Sequence, residues 1–272
     1  MKIAAVQMTS VPDVEKNVQV AIAHIERAAG EGAELVVLPE FFNTIFFAQY
    51  WDSAHHALAE PAEGRTITAI REAARRNDVD VIATIYEKEA AGIFFDTAMH
   101  IARSGDIRHK YRKVHPAAVL SLEKLYFRYG TQLGTYQHGD WRIGIGICYD
   151  MAFPETARCL AIEGAELIIA PYATSRVEMF LEVLRTRAFE NGCYLIAANK
   201  VGREGEWRFG GQSAIIDPFG KVLSTADTQN EALLIVDIDR ARVDEARLRF
   251  PTWRDRRPDL YGAITAEVDA RL

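Results

Sequence analysis

A carboxylate, an ammonium and a thiol stand at the ends of strand-like runs in this sequence, and together they could carry out acyl transfer. The run "ELVVLPEFF", residues 34 to 42, ends its Val-Val core on Pro39 and Glu40. Taken alone, that carboxylate reads as a solvated loop charge, because polar residues collect where strands give way to loops. The run "WRIGIGICYD", 141 to 150, ends on Cys148, Tyr149 and Asp150, and Pro154 opens a helix just beyond. A thiol on a strand-to-helix turn is held at the rim of a sheet, where backbone N–H groups can meet an oxyanion. A strand-end cysteine can equally be a small buried hydrophobe. A reactive thiol needs a nearby cation, a base or a helix N-terminus, and "KYRKVH", 110 to 115, offers Lys113 and His115 at the end of another strand.

Positioning these groups is the work of an alternating pattern of elements. "KIAAVQM" at 2 to 8 reads as a strand, and Val14, Val18, Ala21, Ile22, Ile25, Ala28 and Ala29 then recur at helical spacing until Gly30 and Gly32. "AELVVLP" follows as a second strand, so a right-handed crossover is expected. The sequence predicts a helix at "RTITAIREAARRN", a strand at "VDVIATIYE", and strands at "GIFFDTAMHIAR" and "IRHKYRK" joined through Ser104-Gly105-Asp106. Residues 114 to 140 are poorly patterned. Beyond them, strand and helix alternate from "WRIGIGICYD" to "CYLIAANK", with a helix from about 178 to 191. A hairpin through Pro218-Phe219-Gly220 and the strand "EALLIVDID" come last. Alternating units followed by paired strands predict a layered α/β protein with mixed sheets. The glycines alternating with isoleucine in "RIGIGI" mark close approach of another backbone or a ligand.

Composition excludes several classes. The chain has 272 residues, 49% hydrophobic and 26% charged, with no linker rich in Pro, Gly or Ser, and it reads as one domain. Its net charge is −6, from 38 Asp and Glu against 32 Lys and Arg, and the basic residues are scattered rather than massed, leaving no footprint for nucleic acid. The one charge-rich stretch, "RLRFPTWRDRRPDLYG", mixes Arg with Asp and aromatic residues and reads as a docking tail over residues 247 to 272. No apolar run is long enough for a membrane span, and "MKIAAVQMTS" turns polar too early for a signal peptide, so a cytoplasmic location is expected. Cys148, Cys159 and Cys193 form no CxxC pair and no metal-ligand spacing, and free thiols are expected. His55 and His56 are adjacent, so they do not share a helix face as paired metal ligands do, and "GIG" lacks the third glycine of a nucleotide loop.

The blocks "LPEFF", "KYRKVH" and "GICYD" followed by "FPETAR" resemble the three signature blocks of the nitrilase superfamily, the carbon-nitrogen hydrolases. Further matches run in order along the chain: "AAVQM", "EKLYF", "RTRAFENGCYLIAANKVG" and "GGQSAIIDPFGKVL". The resemblance implies a four-layer αββα sandwich with two packed mixed sheets, commonly paired into a homodimer or a higher homo-oligomer, with the C-terminal tail at the subunit interface. It implies a Glu–Lys–Cys triad at Glu40, Lys113 and Cys148, and a second carboxylate at Glu123, which otherwise reads as an exposed helix residue paired with Lys124 or Arg128. No metal or organic cofactor is required by that chemistry.

Within the superfamily, "FFNTIFFAQ", "KYRKVH" and "LEKLYF" resemble the branch that cleaves N-carbamoyl amino acids or N-carbamoylputrescine. The segment "RYGTQLGTY", 128 to 136, departs from the turn usual in that branch, so the resemblance does not define that wall of the pocket. Superfamily membership does not by itself imply action on nitriles. Tyr149, Phe47 and Phe41 are candidate pocket walls, and Arg176 could clamp a substrate carboxylate or equally pair at the surface with Glu178 or Glu182. Alternatives are hydrolysis of a simple aliphatic or omega-amide, a thioester-based acyltransferase, a silent binding protein on the same fold, and a Cys–His hydrolase using His115.

Overall fold

The computed structural model describes residues 1–268. In chain order, the first half comprises β1 (Lys2–Gln7), α1 (Val14–Gly30), β2 (Leu35–Val37), α2 (Arg65–Asn77), β3 (Asp80–Ala90), β4 (Ile93–Ile101) and β5 (Ile107–Arg112). The chain continues with α3 (Glu123–Tyr126), β6 (Thr135–His138), β7 (Trp141–Ile145), α4 (Pro154–Ile162), β8 (Leu167–Tyr172), α5 (Phe180–Asn191) and β9 (Tyr194–Asn199). Then come β10 (Val201–Glu204), β11 (Trp207–Gly210), β12 (Ala214–Ile216), β13 (Val222–Thr225), β14 (Ala232–Asp237) and α6 (Ala241–Arg249).

Two mixed six-stranded sheets result, in the orders β14-β1-β2-β3-β4-β5 and β13-β12-β9-β8-β7-β6. Side-chain alternation along the strands explains the layering. Ile3 and Ala5 of β1 point into a core shared with Ile143, Ile145, Leu167, Ile169 and Ile196 of the second sheet, whereas Ala4 and Val6 meet Val18, Ile22 and Ile25 of α1. The opposite face of the second sheet buries Ile168, Ala170, Leu195 and Ala197 against Ala157 and Leu160 of α4 and Leu184 and Ala188 of α5. Strands covered on both faces read as continuous apolar runs, as these do. The architecture is therefore a four-layer αββα sandwich.

The helices follow their local signals. Asp13 caps α1 by accepting the Lys16 N–H at 3.2 Å, and Gly32 just past its end has φ +86°. The strand expected at 33–39 is regular only over Leu35–Val37, and the helix expected from 178 begins at Phe180. The poorly patterned stretch contains the short helix α3 and strand β6, and the hairpin β10–β11 was not anticipated. Gly144 of β7 serves helix packing, since a Cβ there would stand 3.0 Å from Leu160 of α4, and Gly146 just past the strand makes room for Met151 of the following turn, which would stand 2.3 Å from a Cβ. Past α6 the chain runs through short turns at Pro258–Leu260 and Gly262–Thr265 with Leu260 and Ile264 exposed. The last part of the expected docking tail, 269–272, lies outside the described residues.

Candidate active site

Parallel pairing of β1 with β2, of β7 with β8 and of β8 with β9 brings several C-terminal strand ends to one rim. Glu40 follows β2 and is tied to the second sheet, its N–H donating to the Tyr172 carbonyl at 3.2 Å. Lys113 follows β5, and its N–H donates to the Asp96 carbonyl of β4 at 2.9 Å. Cys148 follows β7. Phe41 and Cys148 have φ of 52° and 47°, in the left-handed region. Non-glycine residues there are strained by about 1–3 kcal/mol each and cluster at functional sites.

The Lys113 ammonium is completely enclosed. Its Nζ donates to Glu40 Oε1 and to Glu123 Oε2, each at 2.7 Å, and lies 3.5 Å from Asp96 Oδ2. Glu123 is buried, not exposed, and its Oε2 also accepts the Ala117 N–H at 2.8 Å. Burial works against a charge on Lys113, but Glu123 and Glu40 outweigh it and hold the ammonium well above its ordinary pKa. Burial, reinforced by Glu40 and opposed by Lys113, pushes the Cys148 thiol well up. A thiol pushed up in this way needs a base before its sulfur can act as a nucleophile. Carboxylate oxygens of Glu40, Asp96 and Glu123 lie within 4.8 Å of one another, but Lys113 already supplies a cation among them.

Asp150 secures the cysteine turn. Its Oδ2 accepts the Tyr111 hydroxyl at 2.7 Å and the Ile147 N–H at 2.9 Å, and its Oδ1 accepts the His115 N–H at 3.0 Å and lies 2.8 Å from His115 Nδ1. One buried carboxylate thus joins the turn before Cys148 to the residues on both sides of Lys113. His115 stacks on Phe153 with ring centroids 4.0 Å apart and opens onto a hollow with Pro116, Phe127 and Tyr149, apart from the cavity at Cys148.

That cavity measures about 80 Å³ and is lined by Cys148, Glu123, Tyr149, Phe46, Trp207 and Arg176, among others. Tyr149 and Arg176 of the expected walls are present. Phe41 and Phe47 are not; both are buried behind the wall, Phe41 stacked on Phe127 at 5.7 Å and Phe47 on Tyr86 at 4.8 Å. Their places are taken by Phe46 and Trp207, whose rings are 5.1 Å apart. The reason lies in a buried ion pair: Lys200 Nζ donates to Glu204 and to the Thr44 carbonyl at 2.7 Å, and Glu204 Oε2 accepts the Phe46 N–H at 2.7 Å. The loop is pinned with Phe46 toward the cavity and its neighbours toward the core. Arg176 is exposed and forms no ion pair with Glu178 or Glu182 among the described residues; its N–H donates to Thr174 Oγ1 at 3.1 Å.

A second titratable cluster, Asp80 with His100 and His138, sits at the start of β3, away from Glu40. Asp80 is already charge-paired there: it accepts the Arg103 N–H at 2.8 Å and an Arg103 guanidinium N–H at 3.3 Å. Among the described residues no helix is long and apolar enough to cross a membrane.

A thiol, a carboxylate and an enclosed ammonium at the rim of an αββα sandwich are the groups that cysteine-dependent acyl transfer requires. The match to the carbon-nitrogen hydrolase model over residues 2–248 makes this specific: the chain belongs to the carbon-nitrogen hydrolase family. It is 33% identical over 266 residues to a nitrilase of Pyrococcus abyssi, covering 96% of this chain and 99% of the relative. It is 30% identical to the human omega-amidase, with 96% of each chain covered, and 30% identical to N-carbamoylputrescine amidase of Solanum lycopersicum, covering 96% and 94%. Among solved structures, a carbon-nitrogen hydrolase from Helicobacter pylori superposes with a TM-score of 0.93 at 28% identity, covering 98% of both chains. An amidase from Nesterenkonia sp. AN1, with the acetamide moiety of fluoroacetamide covalently added at its active-site cysteine, superposes at 0.84 with 28% identity, covering 96% and 95%.

Proposed function

We propose that the protein is an amidohydrolase that cleaves a C–N bond of a small N-carbamoyl compound through a thioester on Cys148. The observation that carries this is the enclosed Lys113, held at 2.7 Å by both Glu40 and Glu123 beside a small cavity that reaches Cys148. Glu40 accepts the thiol proton as the sulfur attacks the carbonyl carbon. The oxyanion that forms meets the Lys113 ammonium and the Tyr149 N–H. Collapse breaks the C–N bond, and Glu40 passes its proton to the departing nitrogen. Water, deprotonated by Glu40, then attacks the thioester and frees the acid and the thiol; a carbamic acid so released loses carbon dioxide to leave the amine. Glu123 holds Lys113 against Glu40 and lines the cavity, in reach of a substrate amide.

Arg176 at the cavity favours substrates that carry a carboxylate, because a guanidinium binds one through two parallel hydrogen bonds. The same observation supports a second substrate, the omega-amide of a short dicarboxylic acid, which shares a terminal carboxamide and a distant carboxylate. The human omega-amidase and tomato N-carbamoylputrescine amidase are similar to this chain at equal identity. Ammonia release by the wild type and Cys148→Ala over N-carbamoyl amino acids, N-carbamoylputrescine, omega-amides and simple aliphatic amides tests the proposal. Turnover of N-carbamoyl compounds that vanishes in the variant supports it; turnover of other amides alone removes the N-carbamoyl assignment. Arg176→Ala should raise KM for acidic substrates about tenfold and leave neutral ones unmoved. Assembly as at least a dimer through the C-terminal tail belongs to the same proposal, and a monomer mass by light scattering at micromolar concentration would contradict it.

A further inference from the structure

Asp96 lies in the interior of β4, where its side chain is fully buried 3.5 Å from the Lys113 ammonium. Among the described residues neither of its carboxylate oxygens has a hydrogen-bond donor, and neither does Glu40 Oε2. Buried acceptors without donors are rare, and each calls for an explanation. Oxygens of Asp96, Glu40 and Glu123 all lie within 4.8 Å of one another. Lys113 contributes one positive charge among three carboxyl groups, so full ionisation would leave two uncompensated negative charges among buried side chains. Buried charges of that kind take up a proton.

We propose that Asp96 is held as the neutral acid and donates its proton in a hydrogen bond to Glu40 Oε2, which makes Asp96 a positioning residue for the general base. This rests on the reading of Glu40 as the base of Cys148. Glu40 is then held from both sides, by Lys113 at Oε1 and by Asp96 at Oε2, and each carboxylate oxygen keeps a further lone pair for the thiol proton. Burial and the neighbouring Glu40 push the Asp96 carboxyl well above the usual carboxylate range, as the geometry requires. The charged and titratable groups facing Asp96 and Glu40 are Lys113 and Glu123, with Cys148, Tyr172 and Lys200 farther out around them. Neutrality of Asp96 leaves the set with a single excess negative charge, which the departing thiol proton can neutralise on Glu40.

The test compares Asp96→Asn, whose amide can donate the same bond and cannot ionise, with Asp96→Ala. Alkylation of Cys148 by iodoacetamide is followed from about pH 5 to 9, peptide by peptide, so that the exposed Cys159 is counted separately. Asp96→Asn should stay within about threefold of wild type with the same midpoint, and Asp96→Ala should be slowed about tenfold or more with a displaced midpoint. Equal slowing of both variants would show that an ionised Asp96 is needed and would overturn the proposal, as would an unaffected Asp96→Ala. Infrared difference spectra, wild type minus Asp96→Asn at neutral pH, should contain the carbonyl stretch of a protonated carboxylic acid; its absence would overturn the proposal whichever variants fold. Neither readout uses an amide substrate, so failure of the substrate assignment is seen separately.

Discussion

Asp150→Asn changes little in shape and much in hydrogen bonding, which makes its consequence calculable. The carboxylate accepts from Tyr111 and Ile147 at Oδ2 and from the His115 N–H at Oδ1, with His115 Nδ1 also at Oδ1. An asparagine keeps one acceptor oxygen. With that oxygen toward Tyr111 and Ile147, the amide NH2 can donate to His115 Nδ1, but the His115 N–H is left facing another donor. With the amide reversed, the buried Ile147 N–H is stranded instead. The first arrangement is the cheaper, because the His115 N–H is only partly buried. One orphaned donor costs about 1–3 kcal/mol, and replacing charge-assisted bonds by neutral ones adds roughly 1 kcal/mol. A loss of about 2–4 kcal/mol should lower Tm by roughly 4–8 °C in a domain of this size. Because Asp150 joins the Cys148 turn to the strand end bearing Lys113, amide hydrolysis measured well below Tm should also fall, mainly in kcat. Differential scanning calorimetry and steady-state kinetics on the two proteins read both effects. An Asp150→Asn protein with Tm within about 1 °C of wild type and unchanged kcat would refute this account of the turn.

Lys113→Met removes the cation shared by Glu40 and Glu123 and should reduce hydrolysis by at least about a hundredfold, whereas His115→Ala, which faces a different hollow, should cost less than about tenfold. The reverse order of effects would replace the Glu–Lys–Cys scheme with a cysteine–histidine one. Glu87 supplies a pH prediction: burial alone would raise its pKa, but Arg112, Lys110 and Thr97 lower it from 4.5 to about 2. The folded value lies below the unfolded one, so the group stabilises the fold above pH 4.5 and its contribution is lost as pH falls through about 2. That contribution is about 3 kcal/mol, and denaturant midpoints against pH should show a shallower acid limb in Glu87→Gln. An acid limb of equal steepness would show that Glu87 does not carry this linkage.

The alternation of elements was largely legible because both signals are local. The helical spacing from Val14 to Ala29 became α1, and the Pro218-Phe219-Gly220 turn joined β12 to β13. Glu40 and Cys148 could be singled out because each ends an apolar run, whereas Lys113 ends the charged strand "IRHKYR" and stood out only through the block "KYRKVH". Phe41, Phe46 and Phe47 could not be ranked, since identical side chains in one loop carry no mark of which way the backbone turns; the Lys200–Glu204 pair decides that from far along the chain. Asp96 left a faint signal, an acidic residue inside "FFDTAM" in an otherwise apolar strand.

The sequence by itself therefore determined which residues are chemically able to act and which strands present them, because polarity and periodicity are properties of neighbours in the chain. Convergence was decided by the tertiary structure. Lys113 meets Glu40 from 73 positions away, and Asp150 reaches Tyr111 from 39. Those encounters depend on sheet order and on the packing of two sheets face to face, and the directions in which buried charges find partners are settled only when the layers close over them.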